Sequence, residues 1–257
     1  MRIHVTGASG FIGSHLCPAI AAAGHELHPA LEGADAVVHL ANIAHTSAPP
    51  AELHRVNVEG TLACAQAAQA AGARRFVYLS SLKAAWPDDA YGRSKALAEE
   101  ALLKLPGLQA VVLRPPLVYG PRVKANFLAL LLAIDRGWPL PLASIRNQRS
   151  LVYVGNLVDA ILRCLAGPAQ GRTFAVSDGA PVSTPELCRA LGRALGRPAR
   201  LFPFPPALLR LAPPIARLAQ SQVAEDAAIR AELGWRPPFS FEEGLRATAA
   251  WYRAPGG

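Results

Sequence analysis

The chain lacks most of what would mark a membrane, secreted or metal-binding protein. Its longest apolar run, Phe127 to Ile134, is far short of the roughly eighteen residues a membrane span needs and suits a buried helix. The four cysteines, Cys17, Cys64, Cys164 and Cys188, are scattered without metal-ligand spacing. That excludes a zinc module, leaves no metal to expect, and fits ordinary packing in a reducing cytoplasm. Met1-Arg2-Ile3-His4-Val5 runs straight into a glycine turn, which leaves no room for a signal peptide. No internal repeat is evident. Lysine is scarce beside arginine, and the arginines behind the formal charge of +8 are dispersed rather than gathered in a stripe. A nucleic-acid groove is therefore not expected, and an anionic small substrate accounts for the charge more simply.

What is present is a rhythm of strands and helices. Ile3-His4-Val5, Ala36 to Ala41, Arg75 to Leu79 and Gln109 to Leu113 read as buried strands. Between them lie helical stretches at Phe11–Ala23, Ala51–Gly72 and Tyr91–Leu105. Such alternation predicts βαβ units in an α/β, Rossmann-like doubly wound parallel sheet. Past about residue 120 the rhythm loosens into helices near 126–136 and 156–166, an extended stretch at 150–154 and a strand at 173–177. Ser183-Thr184-Pro185-Glu186 is a capping box opening a helix to about Leu195. Pro203 to Pro214 is proline-rich and apolar, with polar helical sequence after it. We read 1–120 as the dinucleotide-binding core and 121–257 as a small substrate lobe interleaved with the last strands of the sheet.

The amino terminus carries Gly7-Ala8-Ser9-Gly10-Phe11-Ile12-Gly13. Gly7 allows the tight turn, Gly10 lets backbone approach a pyrophosphate, and Gly13 permits close helix–strand packing. Phe11 and Ile12 open the helix whose N-terminal dipole and amides favour an anion. A bare tight turn without ligand is the bland alternative. The end of the 36–41 strand passes beside such a cofactor, which places Ala41 there, with Asn57 on the next helix. For the ribose acid expected about twenty residues beyond the glycines, Glu32 is the choice, and Asp35 stands at a similar distance.

Tyr91-Gly92-Arg93-Ser94-Lys95 puts a phenol and an ammonium on one face of a helix. The lysine is expected to lower the phenol's pKa, making it a proton donor or acceptor near neutrality. Ser81, at the end of a parallel strand, is placed to hydrogen-bond a substrate oxygen together with Tyr91. Lys95 is expected to hold a nicotinamide ribose. A surface Tyr–Lys pair is the alternative, opposed by the Ser80-Ser81 strand end before it and Arg114-Pro115-Pro116 after it.

These pieces resemble the extended short-chain dehydrogenase/reductases, in particular the NAD-dependent epimerase/dehydratase branch acting on nucleotide sugars. The resemblance covers nearly the whole chain. It is carried by the 7–13 turn, Val38-His39-Leu40-Ala41, Val56 to Thr61, Leu79-Ser80-Ser81, Tyr91 to Lys95, Arg114 to Pro121, Arg149 to Val154 and Glu232 to Trp235. Ser81-Leu82-Lys83, Pro139 to Leu142 and Val176 to Gly179 are most similar to bacterial 4-keto-6-deoxy-sugar nucleotide reductases of O-antigen synthesis, those related to UDP-N-acetylquinovosamine dehydrogenase. The resemblance implies a cytoplasmic NAD(P)-dependent oxidoreductase, with NAD favoured, that reduces or epimerises at C4. Ser81, Tyr91 and Lys95 take the catalytic places, Pro115 lies beside the cofactor, and Asn126 and Arg149 contact the nucleotide diphosphate. A helix cap for Asn126 and a surface ion pair for Arg149 are the competing readings. Dehydration lacks an added acid–base pair after the serine, since Leu82-Lys83 supplies none. The family often dimerises through the helices that correspond to 51–72 and 91–105.

Three departures stand out. Between His25 and Ala36 only one short strand and a turn fit, so the sheet should lose an edge strand and part of the adenine pocket. Pro29 belongs at such an edge. The Ser81-to-Tyr91 step is short, and Gly155 stands where the family commonly has an aspartate. These losses keep open a degenerate member that binds a dinucleotide or nucleotide sugar without turnover.

Overall fold

In a computed structural model of the chain, the described residues are 1–43, 48–205, 208 and 217–254. The proline-rich 203–214 stretch lies largely outside them. They form two compact units: Met1–Pro116 with Leu157–Val176 and Glu225–Arg236, and Leu117–Asn156 with Ser177–Ala224 and Pro237–Gly257.

The first unit is built on a six-stranded parallel sheet in the order β2-β1-β3-β4-β5-β8. Its strands are β1 (Arg2–Thr6), β2 (Glu26–His28), β3 (Ala36–His39), β4 (Arg75–Leu79), β5 (Gln109–Arg114) and β8 (Arg172–Ala175). β3 and most of β4 and β5 are buried on both faces, which is why they read as unbroken apolar runs. Helix α1 (Gly13–Ala22) follows β1. Next come α2 (Pro50–Leu53), a π-helical stretch at His54–Glu59 and α3 (Gly60–Ala70), in place of one continuous helix. α4 (Ala90–Leu103) lies between β4 and β5. Ala65, Ala68, Ala98 and Leu102 of α3 and α4 pack on Val37, Phe76, Tyr78, Ala110 and Val112 of the sheet. Leu102 is fully buried, worth about 1.5–3 kcal/mol of transfer free energy.

β2 has three residues and forms the edge. The dinucleotide-binding order 3-2-1-4-5-6 carries a further strand outside that position, and none is found there among the described residues. Only Pro29–Asp35 returns the chain from β2 to β3, which flank β1 on opposite sides. A parallel crossover usually takes a dozen residues or more. β2 stops at His28, immediately before Pro29.

The second unit holds a two-stranded parallel pair, β6 (Leu117–Tyr119) with β7 (Leu151–Tyr153). Helices α5 (Ala125–Asp135), α7 (Thr184–Ala194) and α9 (Phe241–Arg253) belong to it. Both α7 and α9 open on complete capping boxes, Ser183 with Glu186 and Ser240 with Glu243. α6 (Val154–Ala166) begins in this unit and runs on in the first, which also contains α8 (Ala227–Leu233).

Candidate functional site

The glycine turn is dictated by space. Gly7 has φ +71°, and a Cβ there would stand 2.9 Å from the Ala41 nitrogen. A Cβ on Gly13 would lie 2.5 Å from the carbonyl oxygens of Gly7 and Ala8. Gly10 is exposed, its N–H donating to the Gly7 carbonyl at 3.0 Å, while Phe11 and Ile12 are half-buried. No side chain caps the N-terminus of α1; the Ser14, His15 and Leu16 amides bond to the Gly10 and Ile12 carbonyls, so an anion would meet the turn that precedes the helix. Ala41 is exposed at the end of β3, its N–H donating to Thr6 Oγ1 at 3.2 Å.

Ser81, Tyr91 and Lys95 come together at the carboxyl end of β4. Ser81 follows the strand and caps a short 3-10 turn, Leu82–Ala85, by accepting from the Lys83 N–H at 3.3 Å. The Leu82 N–H donates to the buried Pro115 carbonyl at 2.8 Å, fixing that turn to the end of β5. Asp89 caps α4, accepting from the Gly92 N–H at 2.7 Å, and its other oxygen pairs with the Lys83 ammonium. A Cβ on Gly92 would meet the Lys83 carbonyl at 2.7 Å, so glycine is needed for α4 to start this close to the turn. The short step thus delivers Tyr91 to a hydrogen bond with Ser81.

The lysine differs from expectation. Its ammonium is fully buried, donating to the Leu79 carbonyl at 3.0 Å and Tyr78 Oη at 3.2 Å, and it lies 4.7 Å from the centre of the Tyr78 ring. Burial brings its pKa down to about 7, against the pull of Glu99. Tyr91 is correspondingly not near neutrality. Burial raises it to about 12, with Ser81 lowering and Asp89 raising it. The desolvated phenol and the inward-facing acceptors on β4 override the simple effect of the i, i+4 spacing.

Behind the site, Glu99, one turn beyond Lys95, accepts from the Ser80 hydroxyl and from Arg114 Nε at 3.0 Å. Asn57 is buried. It exchanges bonds with Ile43, 2.8 Å to Oδ1 and 3.2 Å from Nδ2, and donates to Ser94 Oγ at 3.1 Å. Glu32 is exposed in the β2–β3 return, its carbonyl 2.8 Å from His28 Nε2. Asp35 belongs to the lead-in of β3, accepting from the Arg2 N–H at 2.7 Å and its guanidinium at 3.1 Å.

The remaining sequence candidates lie in the second unit. Asn126 is exposed in the first turn of α5 and is not its cap; that position is Lys124. The entry to α5 carries two non-glycine residues at positive φ, Arg122 at 69° and Ala125 at 54°. Arg149 is half-buried, with its guanidinium held below its usual pKa by burial. It lines a cleft of about 320 Å³ together with Leu151, Asp178, Val182, Phe241 and Glu242. Gly155 has a packing reason, since a Cβ would stand 2.6 Å from the Tyr153 ring and 3.1 Å from Phe239. A buried carboxylate comes instead from Asp178. It accepts from the Tyr153 N–H at 2.8 Å, the Tyr119 hydroxyl at 2.8 Å and Asn156 Nδ2 at 2.7 Å. Sequence reasoning singled out neither this role nor those of Tyr78, His39 and Glu99. The last had a signal, since Tyr91, Lys95 and Glu99 recur every fourth residue.

A glycine turn between β1 and α1 in a doubly wound parallel sheet is the architecture of a dinucleotide-binding protein. The chain belongs to the NAD dependent epimerase/dehydratase family, whose model matches residues 3–33 and 26–177. The two pieces meet at the shortened return between β2 and β3. It is 37% identical to a UDP-glucose 4-epimerase of Vibrio cholerae over 85% of this chain and 77% of that one. A second UDP-glucose 4-epimerase, of Mycolicibacterium smegmatis, is 30% identical over 98% of this chain and 99% of its own length. That alignment runs over 319 positions, more than the 257 residues here, so the relative carries segments this chain lacks. Among solved structures, RMD of Pseudomonas aeruginosa complexed with NADPH is similar at a TM-score of 0.81 and 25% identity, covering 99% of each chain. Among the described residues no helix is long and apolar enough to cross a membrane.

Proposed function

We propose that the chain is an NAD(P)-dependent oxidoreductase acting at C4 of a nucleotide-diphosphate sugar, with Tyr91 as acid/base. Reduction of a 4-keto group is the leading reaction, and C4 epimerisation uses the same residues. The observation that carries this reading is the Ser81–Tyr91 hydrogen bond beside a buried Lys95 at the carboxyl end of the sheet.

The residues fit the cofactor. The Gly7–Gly13 cradle, which side chains would fill, takes the pyrophosphate, with Phe11 and Ile12 at the helix start. Ala41, Asn57 and Pro115 line the way to the nicotinamide, Lys95 meets its ribose, and Glu32 is offered to the adenosine ribose, with NAD preferred over NADP. Bound nicotinamide supplies or accepts the hydride. Ser81 orients the substrate oxygen, and Tyr91 gives its phenolic proton to that oxygen during reduction or takes one during oxidation. Lys95 keeps a positive charge beside the phenol as its proton moves. Asn126 and Arg149 are assigned to the diphosphate, which a guanidinium can grip with two parallel hydrogen bonds. We further place the protein in the cytoplasm, as a homodimer through α3 and α4, where Leu97 and Leu103 are exposed.

Titration with NADH and NADPH, followed by nicotinamide fluorescence, tests the cofactor site. NADH preference that Glu32→Ala erases would support Glu32. Turnover of a UDP-4-keto-6-deoxy sugar, set against interconversion of UDP-glucose and its C4 epimer, separates reductase from epimerase. The shortened β2–β3 return favours a second reading, binding without turnover. Cofactor binding with neither reaction would support that reading, and no binding at millimolar cofactor would end the oxidoreductase reading and leave a degenerate binding protein.

A further inference from the structure

Lys95 sits at one end of a line of buried polar groups that the proposed chemistry does not use. Ala41 donates its N–H to Thr6 Oγ1 at 3.2 Å, and Thr6 Oγ1 lies 2.9 Å from His39 Nδ1. On the other side of the ring, His39 Nε2 lies 3.3 Å from Thr61 Oγ1, and Thr61 is hydrogen-bonded to the Tyr78 hydroxyl. Tyr78 Oη accepts from Lys95 Nζ at 3.2 Å. The members come from β1, β3, α3 and β4. His39, Thr61, Tyr78 and Lys95 are all buried, while Thr6 is half-buried.

The near end sets the direction of the line. Tyr78 Oη takes the Lys95 N–H and has its own proton to give, and it gives it to Thr61, while Thr6 Oγ1, with two lone pairs, can take both the Ala41 N–H and a proton from Nδ1. Burial, and secondarily the Lys95 charge, hold His39 down at about 4, so the ring is neutral with one donor and one acceptor nitrogen. Its proton then lies on Nδ1 and points at Thr6, Nε2 accepts from the Thr61 hydroxyl, and Thr61 Oγ1 accepts from the Tyr78 hydroxyl. Hydrogen bonds aligned head to tail polarise one another, which makes the terminal phenol oxygen a better acceptor. The ring stacks on Phe76, centroids 5.7 Å apart.

We propose that Thr6, His39, Thr61 and Tyr78 form an aligned hydrogen-bonded chain that positions the Lys95 ammonium, with Tyr78 as the positioning residue. No charge is spent in it, so the chain adds no carboxylate to Glu99, which already pulls on the lysine. The groups facing Lys95 are His39 from β3, Tyr78 from β4 and Glu99 from α4 itself, while Tyr91 faces Tyr78. Arg114 of β5 stands behind Glu99. The chain's consequence for turnover rests on the function proposed above; its existence does not.

The test uses the whole cofactor-free protein. With only four lysines, Lys83, Lys95, Lys104 and Lys124, ε-nitrogen labelling gives a few resolvable signals, and Lys95→Met assigns the buried one. Tyr78→Phe should lower the Lys95 titration midpoint by about one pH unit, a tenfold loss of proton affinity, because a hydrogen bond to a charged group is removed. Thr61→Val should lower it by roughly half a unit, and Thr61→Ser, which keeps the hydroxyl, should leave it in place. A midpoint unchanged in both Tyr78→Phe and Thr61→Val overturns the proposal; if Thr61→Val does not fold, Tyr78→Phe and Thr61→Ser decide it. Failure of the wild type to bind either cofactor would instead overturn the proposed function and leave the titration readable.

Discussion

Two connections of the first unit are short, and they are held in different ways. Between Ser81 and Tyr91 the chain is fastened at each turn: Leu82 to the Pro115 carbonyl, Lys83 to Asp89, and Asp89 to the first turn of α4. Between His28 and Ala36 the fastenings are the Glu32 carbonyl on the His28 ring, the Ala34 and Asp35 N–H bonds to the Leu31 and Arg2 carbonyls, and an exposed Arg2–Asp35 pair. The first connection ends on a phenol that must meet Ser81 closely. The second ends on a strand start, at the amino edge of the sheet. Shortening is compatible with a working site where the lost length is replaced by part-buried hydrogen bonds and an ion pair. Where it is not replaced, the cost falls on the adenine side, and the comparison predicts strong catalytic positioning with weakened cofactor grip.

The largest test strikes the fastened side. Tyr91→Phe should reduce turnover by about 10²–10⁴-fold, since it removes only the hydroxyl proposed as acid/base, with NADH binding kept. Equal loss of cofactor binding would show that the two sides are not separable. Next in size is Arg114→Leu, which leaves the buried Glu99 without its cation and should cost about 3–5 kcal/mol in urea unfolding. Pairing it with Glu99→Leu should recover much of that, because the penalty is the stranded charge rather than the lost attraction.

How far the sequence carried differs in the same sense. The strands, the glycine turn, Ser81, Tyr91 and Lys95, and the Ser183–Glu186 capping box were legible because each is a local pattern of a few residues. The direction of the Lys95 ammonium was not, since Tyr78 and the Leu79 carbonyl come from a strand about sixteen residues upstream. His39 read as one more buried strand residue, and nothing in its neighbours along the chain announces Thr6 and Thr61. Gly155 read as a lost carboxylate, yet Asp178 arrives at Tyr153 from 25 residues away. Leu117–Tyr119 stood within the Arg114 to Pro121 match and was not read as a strand.

Gly92→Ala sharpens the comparison at a smaller scale. Its Cβ would press on the Lys83 backbone at 2.7 Å, where nothing flexible can give, so a loss of about 1–3 kcal/mol and a displaced Tyr91 are expected. The two aspartates make the finest contrast. Asp89→Ala removes the α4 cap and should cost about 1 kcal/mol, with turnover falling because Tyr91 sits two residues on. Asp35→Ala should cost less and leave turnover alone. Both carboxyls are held below the usual range: Asp35 by the Arg2 amide and guanidinium, Asp89 because Lys83 and the Gly92 amide outweigh the upward push of burial. A depressed carboxyl stabilises the fold above its unfolded pKa and loses that contribution as pH falls through its folded value. Urea midpoints measured from pH 6 down to 3 should therefore drop below about pH 4, and each alanine variant should flatten that drop. If Asp35→Ala flattened it more than Asp89→Ala, the loosely fastened side would be the one holding the unit together, and the contrast between the two connections would be reversed.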